Sequence, residues 1–250
     1  MITKRSSANN LIKKIGRICV LFLFPLIGSA IVVLPAYLLK SPNWILSISI
    51  YIGQFLFSLY LIHRWYNFSE CGIKKYLKFT SLSWGLLFLV IRCSTWVIFL
   101  PVTVTFPGWQ VVIPELLFFL FINSTTEEIH FRGLLYNGIF KETSRPQVAA
   151  IISSVLFGLL HLFLGQPNWI PLFIADGLAW CAIRMRTDSI YPAIVAHALQ
   201  NLLFTYILLV PTDLSYQTEM VYTIMAIIAD LLFFIFATMK LRPKMNFRKG

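Results

Sequence analysis

A chain of 250 residues that is 58% hydrophobic, 16% aromatic and only 12% charged has too little polar material to cover a soluble globule, and its mean hydropathy is +0.77. These values exclude a water-soluble enzyme or binding module and point to an all-α polytopic membrane protein. The formal net charge of +11 carries no expectation of a nucleic-acid partner, because basic residues of membrane proteins collect in cytoplasmic loops.

In chain order, residues 1–17 form a basic arm carrying Lys4, Arg5, Lys13, Lys14 and Arg17. The apolar run Ile18 to Leu39 is long enough to span a bilayer and exceeds the roughly 7–15 residues of a signal-peptide core. Further apolar runs follow at about 43–62, 79–100, 111–140, 147–164, 169–183, 190–210 and 220–239, giving eight expected transmembrane helices in one domain over 18–239. A second basic segment, 240–250, follows as a tail. Loop charge tests this count: the arm, the second, fourth and sixth loops and the tail hold 18 of the 21 Lys and Arg residues. The other loops hold only Lys40, and Arg92 and Arg132 lie inside spans. Such alternation places both termini in the cytoplasm of an integral membrane protein, with the cell membrane as its expected location and lipid as a partner. Trp44, Trp65, Trp109 and Trp169 near span ends read as interfacial anchors. Cys19, Cys71, Cys93 and Cys181 have no metal-ligand spacing and read as buried thiols rather than a disulfide framework.

The fourth span contains Thr126-Glu127-Glu128-Ile129-His130-Phe131-Arg132. An ionised side chain at bilayer depth costs roughly 2.5–3.5 kcal/mol even on insertion scales, so such residues are paired, wet and functional by default. Glu128 and Arg132 are four apart and share a helix face, with the carboxylate first, the favourable order for a pair. Glu127 lies about 100° round the helix and faces elsewhere. The polar run Asn123-Ser124-Thr125-Thr126 just before it reads as a break in the helix or the wall of a wet cavity. Phe157 and His161 stand one turn apart in the fifth span, so the ring can orient the imidazole, and His197 and Asn201 repeat that spacing in the seventh. An imidazole and an amide on one face can both donate to a developing oxyanion. Arg92 is expected to pair with Glu115 or Asp176, or to snorkel to an interface.

These three ordered motifs, Glu-Glu-xxx-Arg at 127–132, Phe-xxx-His at 157–161 and His-xxx-Asn at 197–201, resemble those of the CAAX-protease and bacteriocin-processing family, also called the Abi family. His130, where the family often has an aromatic, is a small departure. The resemblance covers about 111–210 and implies an eight-helix intramembrane glutamic endopeptidase acting on a membrane-associated polypeptide. It implies Glu127 as general base, His161 as the group that helps to hold the attacking water, and His197 with Asn201 as oxyanion donors. Glu128, Arg132 and Phe157 would support them. No cofactor is implied. The sharpest rival mechanism is a zinc site drawn from a Glu with His161 and His197, which is disfavoured because no HExxH occurs. The alternative functions are a non-catalytic immunity or adaptor protein and, with Asp176 and Asp230 in spans, an ion-coupled transporter. A cavity open to the cytoplasm best reconciles the expected depths of Glu127, His161 and His197.

Overall fold

The computed structural model describes residues 2–76, 78–163 and 165–239, with side chains from Asn10 onward. The expected basic tail at 240–250 and the side chains of Lys4 and Arg5 lie outside the described residues. Each of the eight expected spans is a helix: α1 Ile2–Leu38, α2 Asn43–Trp65, α3 Phe79–Phe99, α4 Trp109–Thr143, α5 Pro146–Leu160, α6 Ile170–Thr187, α7 Tyr191–Leu202 and α8 Tyr216–Thr238. In hydrocarbon a backbone must satisfy its own hydrogen bonds, and helices do so within one segment. Five of them, α1 from Asn10, α2, α3, α4 and α8, are long and apolar enough to cross a membrane by themselves. The other three are short or charged: α5 has 15 residues, α7 has 12, and α6 carries Asp176, Arg184 and Arg186. The first helix begins well before Ile18 and continues through the basic arm.

Helix ends follow local chemistry. Lys40, Ser144 and Asp188, just past α1, α4 and α6, take left-handed φ values of 52°, 57° and 53°. A proline follows each within a few residues, at 42, 146 and 192, and prevents the helix from continuing. Beyond α3, Thr103–Val104 pairs antiparallel with Leu208–Leu209, forming a short ribbon.

In the packed bundle α1 lies on α2, α5 on α6, α7 on α3, and α8 on both α3 and α6. Close approach is set by small residues, as in other membrane bundles. At Gly85 of α3 an added Cβ would strike the carbonyl oxygen of Pro192 on α7. The core gathers Phe131, Leu135, Ile139, Phe157, Trp180 and Ile183, while Ile31, Val90 and Leu232 point outward.

Two side-chain expectations change. All four cysteines are free, but Cys19 is exposed and Cys93 half-buried; only Cys71 and Cys181 are buried. Trp44, Trp65 and Trp109 are exposed at helix ends as expected of anchors, whereas Trp169 is half-buried, lining a cavity with its ring 6.2 Å from that of Tyr222 on α8.

Candidate active site

Helix α4 is not uniform. Its turns widen to π geometry at Phe119–Asn123 and again at Ile129–Leu135, with ordinary α-helix at Ser124–Glu128 between them. The hydroxyl of Thr125 donates to the Leu120 carbonyl at 2.5 Å, satisfying an acceptor that the first wide turn loosens. Such wide turns recur at functional sites because they rotate side chains out of helical register. Here they bracket Glu127 and Glu128 and turn Asn123 inward.

The two adjacent glutamates face different surroundings. Glu128 is fully buried, and its Oε1 lies 3.2 Å from Nη1 of Arg132 and 3.1 Å from Nδ1 of His197. The Arg132 guanidinium rests between aromatic faces, 4.4 Å from the Phe157 ring centre and 4.9 Å from that of Trp180. Its nitrogens meet no hydrogen-bond acceptor in good geometry among the described residues, so charge and ring faces hold it. Space for it depends on Gly177, where a Cβ would sit 3.1 Å from Nη2.

Glu127 instead faces the cavity. Its Oε1 accepts from Nδ2 of Asn123 at 3.1 Å, and its Oε2 lies 3.7 Å from Nε2 of His197. The same Asn123 nitrogen donates to the Tyr51 hydroxyl oxygen at 2.6 Å, and Asn123 Oδ1 accepts from Nδ2 of Asn201 at 2.8 Å. The Asn123 NH₂ group thus serves both Glu127 Oε1 and the Tyr51 oxygen with its two hydrogens. Asn123 then presents its oxygen to Asn201, whose second N–H has no acceptor among the described residues.

Both histidines are oriented from behind. His161 Nδ1 lies 3.0 Å from the Phe157 carbonyl oxygen, which can only accept; Nδ1 therefore carries a proton and Nε2 is left for the cavity. Its ring stacks on Phe173 at 3.8 Å and meets Phe157 edge-on at 4.8 Å, as the one-turn spacing predicts. His197 stacks on Trp180 at 4.0 Å. His130 does something else. Fully buried, it pairs Nδ1 with Gln54 at 2.8 Å and Nε2 with the Leu21 carbonyl at 3.2 Å, tying α4 to α2 and α1.

Glu127, His161, His197 and Asn201, from α4, the end of α5 and α7, all line one cavity of about 440 Å³. Aromatic residues Trp96, Phe157, Trp169, Phe173, Trp180 and Phe204 form much of its wall. A separate hollow of about 470 Å³ at the α1–α2 turn, between Tyr37, Lys40 and Leu46, holds none of these groups. Among the described residues no three His, Cys, Asp or Glu side chains are grouped to hold a metal ion. Arg92 takes Asp176 as its partner at 3.3 Å rather than Glu115.

The exposed lining residues mark the mouth of the cavity. Exposed Gln166 and Thr205 stand there, with Trp96 in the last turn of α3 and Trp169 just before α6. All belong to the bundle end away from the basic loops. The opposite end is closed by a belt of pairs, Lys141–Glu70 and Lys74–Asp188 at 2.7 Å and Arg184–Asp188 at 2.9 Å. In that belt burial pushes Glu70 and Asp188 up, but Lys141 with Asn67 for Glu70, and Lys74 with Arg184 for Asp188, hold both carboxyls below their usual range.

Sequence reasoning placed Asn123 only in a polar run and passed over Tyr51, Trp180 and Phe173. The four-residue interval from Asn123 to Glu127 was a usable signal; the other three carry none, because their helices are brought up by packing.

Comparison with known proteins agrees with the motifs. The chain is 30% identical over 86 residues to the uncharacterized protein YyaK of Bacillus subtilis (strain 168), an alignment covering 32% of this chain and 29% of that protein. No solved structure matches. Residues 108–203 match the family described as Rce1-like, type II CAAX prenyl endopeptidase Rce1-like. That segment holds every residue of the three motifs, and over it this integral membrane chain is similar to the Rce1-like family.

Proposed function

We propose that the protein is an intramembrane endopeptidase that hydrolyses a peptide bond in a membrane-associated polypeptide, with Glu127 as its general base. The observation that carries this reading is the lining of one cavity by Glu127, His161, His197 and Asn201. In the proposed reaction a water held by His161 Nε2 loses a proton to Glu127 as its oxygen attacks the scissile carbonyl carbon. The carbonyl electron pair moves onto oxygen, where the free Asn201 N–H and His197 stabilise it. Collapse of this intermediate breaks the C–N bond, and Glu127 returns the proton to the departing amine. Arg132 and Glu128 hold His197 in place. No metal enters the scheme, so cleavage should survive exhaustive chelation.

The test uses a peptide library anchored on lipid vesicles containing the full-length protein, with released fragments identified by mass spectrometry. Glu127→Gln should abolish release while leaving expression and thermal unfolding unchanged. Equal release by both proteins would overturn the base assignment and favour a non-catalytic adaptor.

The charge alternation of the loops assigns the belt end to the cytoplasm, so the mouth at Gln166 faces the opposite side and substrate enters from there. With the native cysteines replaced, Gln166→Cys should react in intact cells with a membrane-impermeant maleimide. Labelling only after lysis would reverse the assignment.

A further inference from the structure

The hydrogen-bond polarity of the Tyr51–Asn123–Glu127 chain leaves one donor unaccounted for. Tyr51, on α2, accepts at its hydroxyl oxygen from Asn123 Nδ2 at 2.6 Å. That nitrogen's other hydrogen goes to Glu127 Oε1, and an amide nitrogen offers no lone pair, so the Asn123 atom that faces Tyr51 cannot accept the phenolic proton. No other described residue accepts it. The hydroxyl belongs to a cavity-lining residue, and its oxygen lies within two hydrogen-bond lengths of the Glu127 carboxylate. The ring is fixed edge-on against Phe118 at 6.0 Å. The phenol is thus held by its ring on one side and by its lone pair on another, with its proton free to turn toward the cavity.

We infer that Tyr51 is a further catalytic residue, whose O–H donates to the carbonyl oxygen of the scissile peptide as negative charge develops there, and that Asn123 is the positioning residue that directs it. The inference rests on the peptidase reading above. It gives the reaction a donor from α2, outside the three motifs, opposite the Asn201 N–H and joined to it through Asn123. Donors aimed in advance at a developing charge reorganise little during reaction, which is why losing one such donor typically costs roughly 100- to 1,000-fold in kcat. A donor that acts only in the transition state changes kcat and leaves KM nearly untouched.

The experiment takes the anchored peptide released fastest by the wild-type protein and measures kcat and KM for wild type, Glu127→Gln and Tyr51→Phe in the same vesicles. Tyr51→Phe keeps the ring on Phe118 and should lower kcat roughly 100-fold or more with little change in KM. A set of fluorinated tyrosines incorporated at position 51 keeps both ring and hydroxyl while making the phenol progressively more acidic. In these proteins kcat should vary systematically with phenol acidity below the pH at which the phenol ionises, a response that a purely structural tyrosine would not give. Unchanged kcat in Tyr51→Phe, a loss confined to KM, or indifference to fluorination would each overturn the role of Tyr51. If Glu127→Gln is silent in the same assay, the peptidase reading survives that failure; if Glu127→Gln cleaves like wild type, the reading itself fails.

Discussion

Arg92 and Arg132 are both buried inside spans, and the way each is housed differs. Arg132 finds its carboxylate one turn away on its own helix, Glu128 at 3.2 Å, and sits between the rings of Phe157 and Trp180. Arg92 finds its carboxylate on another helix, Asp176 of α6 at 3.3 Å, with the Tyr222 ring at 5.5 Å. A second acid, Asp230 of α8, lies close enough to interact with both, and neither of its oxygens has a hydrogen-bond partner among the described residues. Arg132 therefore has a single close acid and rings on both sides, while Arg92 shares its surroundings with two acids. The first arrangement is a rigid support for His197; the second carries a surplus carboxyl group.

This contrast can be broken from the Arg132 side. Removing one partner of a buried pair leaves an uncompensated charge, at a cost of roughly 3–5 kcal/mol. Arg132→Leu should therefore lower thermal stability in detergent sharply and abolish cleavage, and because a lysine ammonium cannot stack between those rings as a planar guanidinium does, Arg132→Lys should not restore either. A stable and active Arg132→Leu protein would show that the aromatic box, not the charge, supports His197.

The Arg92 cluster should respond in the opposite sense. Asp230→Asn removes the surplus acid and leaves Arg92 with Asp176, so stability should be unchanged or raised by about 1 kcal/mol, since buried charge is often retained at a net cost. Asp176→Asn removes both the close partner of Arg92 and the carboxylate that accepts from Gln200, and should destabilise. Thermal unfolding of the two variants side by side gives the ranking, and a larger loss for Asp230→Asn would reverse the assignment.

The smallest effect is expected in the belt, whose ion pairs are partly exposed and worth at most about 1 kcal/mol each. Because Glu70 and Asp188 sit below their usual range in the folded protein, their contribution is present above the ordinary carboxylate pKa of about 4 and is lost as pH falls through their lowered folded values. Hydrogen exchange in the loop from Asn67 to Ile73 should accordingly be flat from neutral pH to about 5, after allowance for intrinsic exchange rates, and opening should increase only in stronger acid. Opening near pH 6 would require a different group.

The two arginines also show which contacts can be read along a chain. The Glu128–Arg132 pair follows from helical periodicity and holds even though the turn widens immediately after Glu128. The partner of Arg92 did not follow, because Glu115 and Asp176 are both remote in sequence and nothing local separates them. Phe157 and His161 behave like the first case, with one-turn spacing becoming ring contact at 4.8 Å. Trp169 behaves like the second: a tryptophan at a span end looks like an anchor until a remote ring, here Tyr222, packs beside it.

Eight helices, the alternation of loop charge and three motifs in separate spans were all legible in the amino acids, because apolar length, basic loops and helical spacing are local properties. The meeting of Glu127, His161, His197 and Asn201 around one cavity, its mouth at the end away from the basic loops, and the hydrogen-bonded chain through Asn123 to Tyr51 were not. They arise where helices far apart in sequence approach one another and where two widened turns rotate α4. A periodic pattern fixes which face a residue shares with its helical neighbours, but it carries no information about which other helix that face will meet.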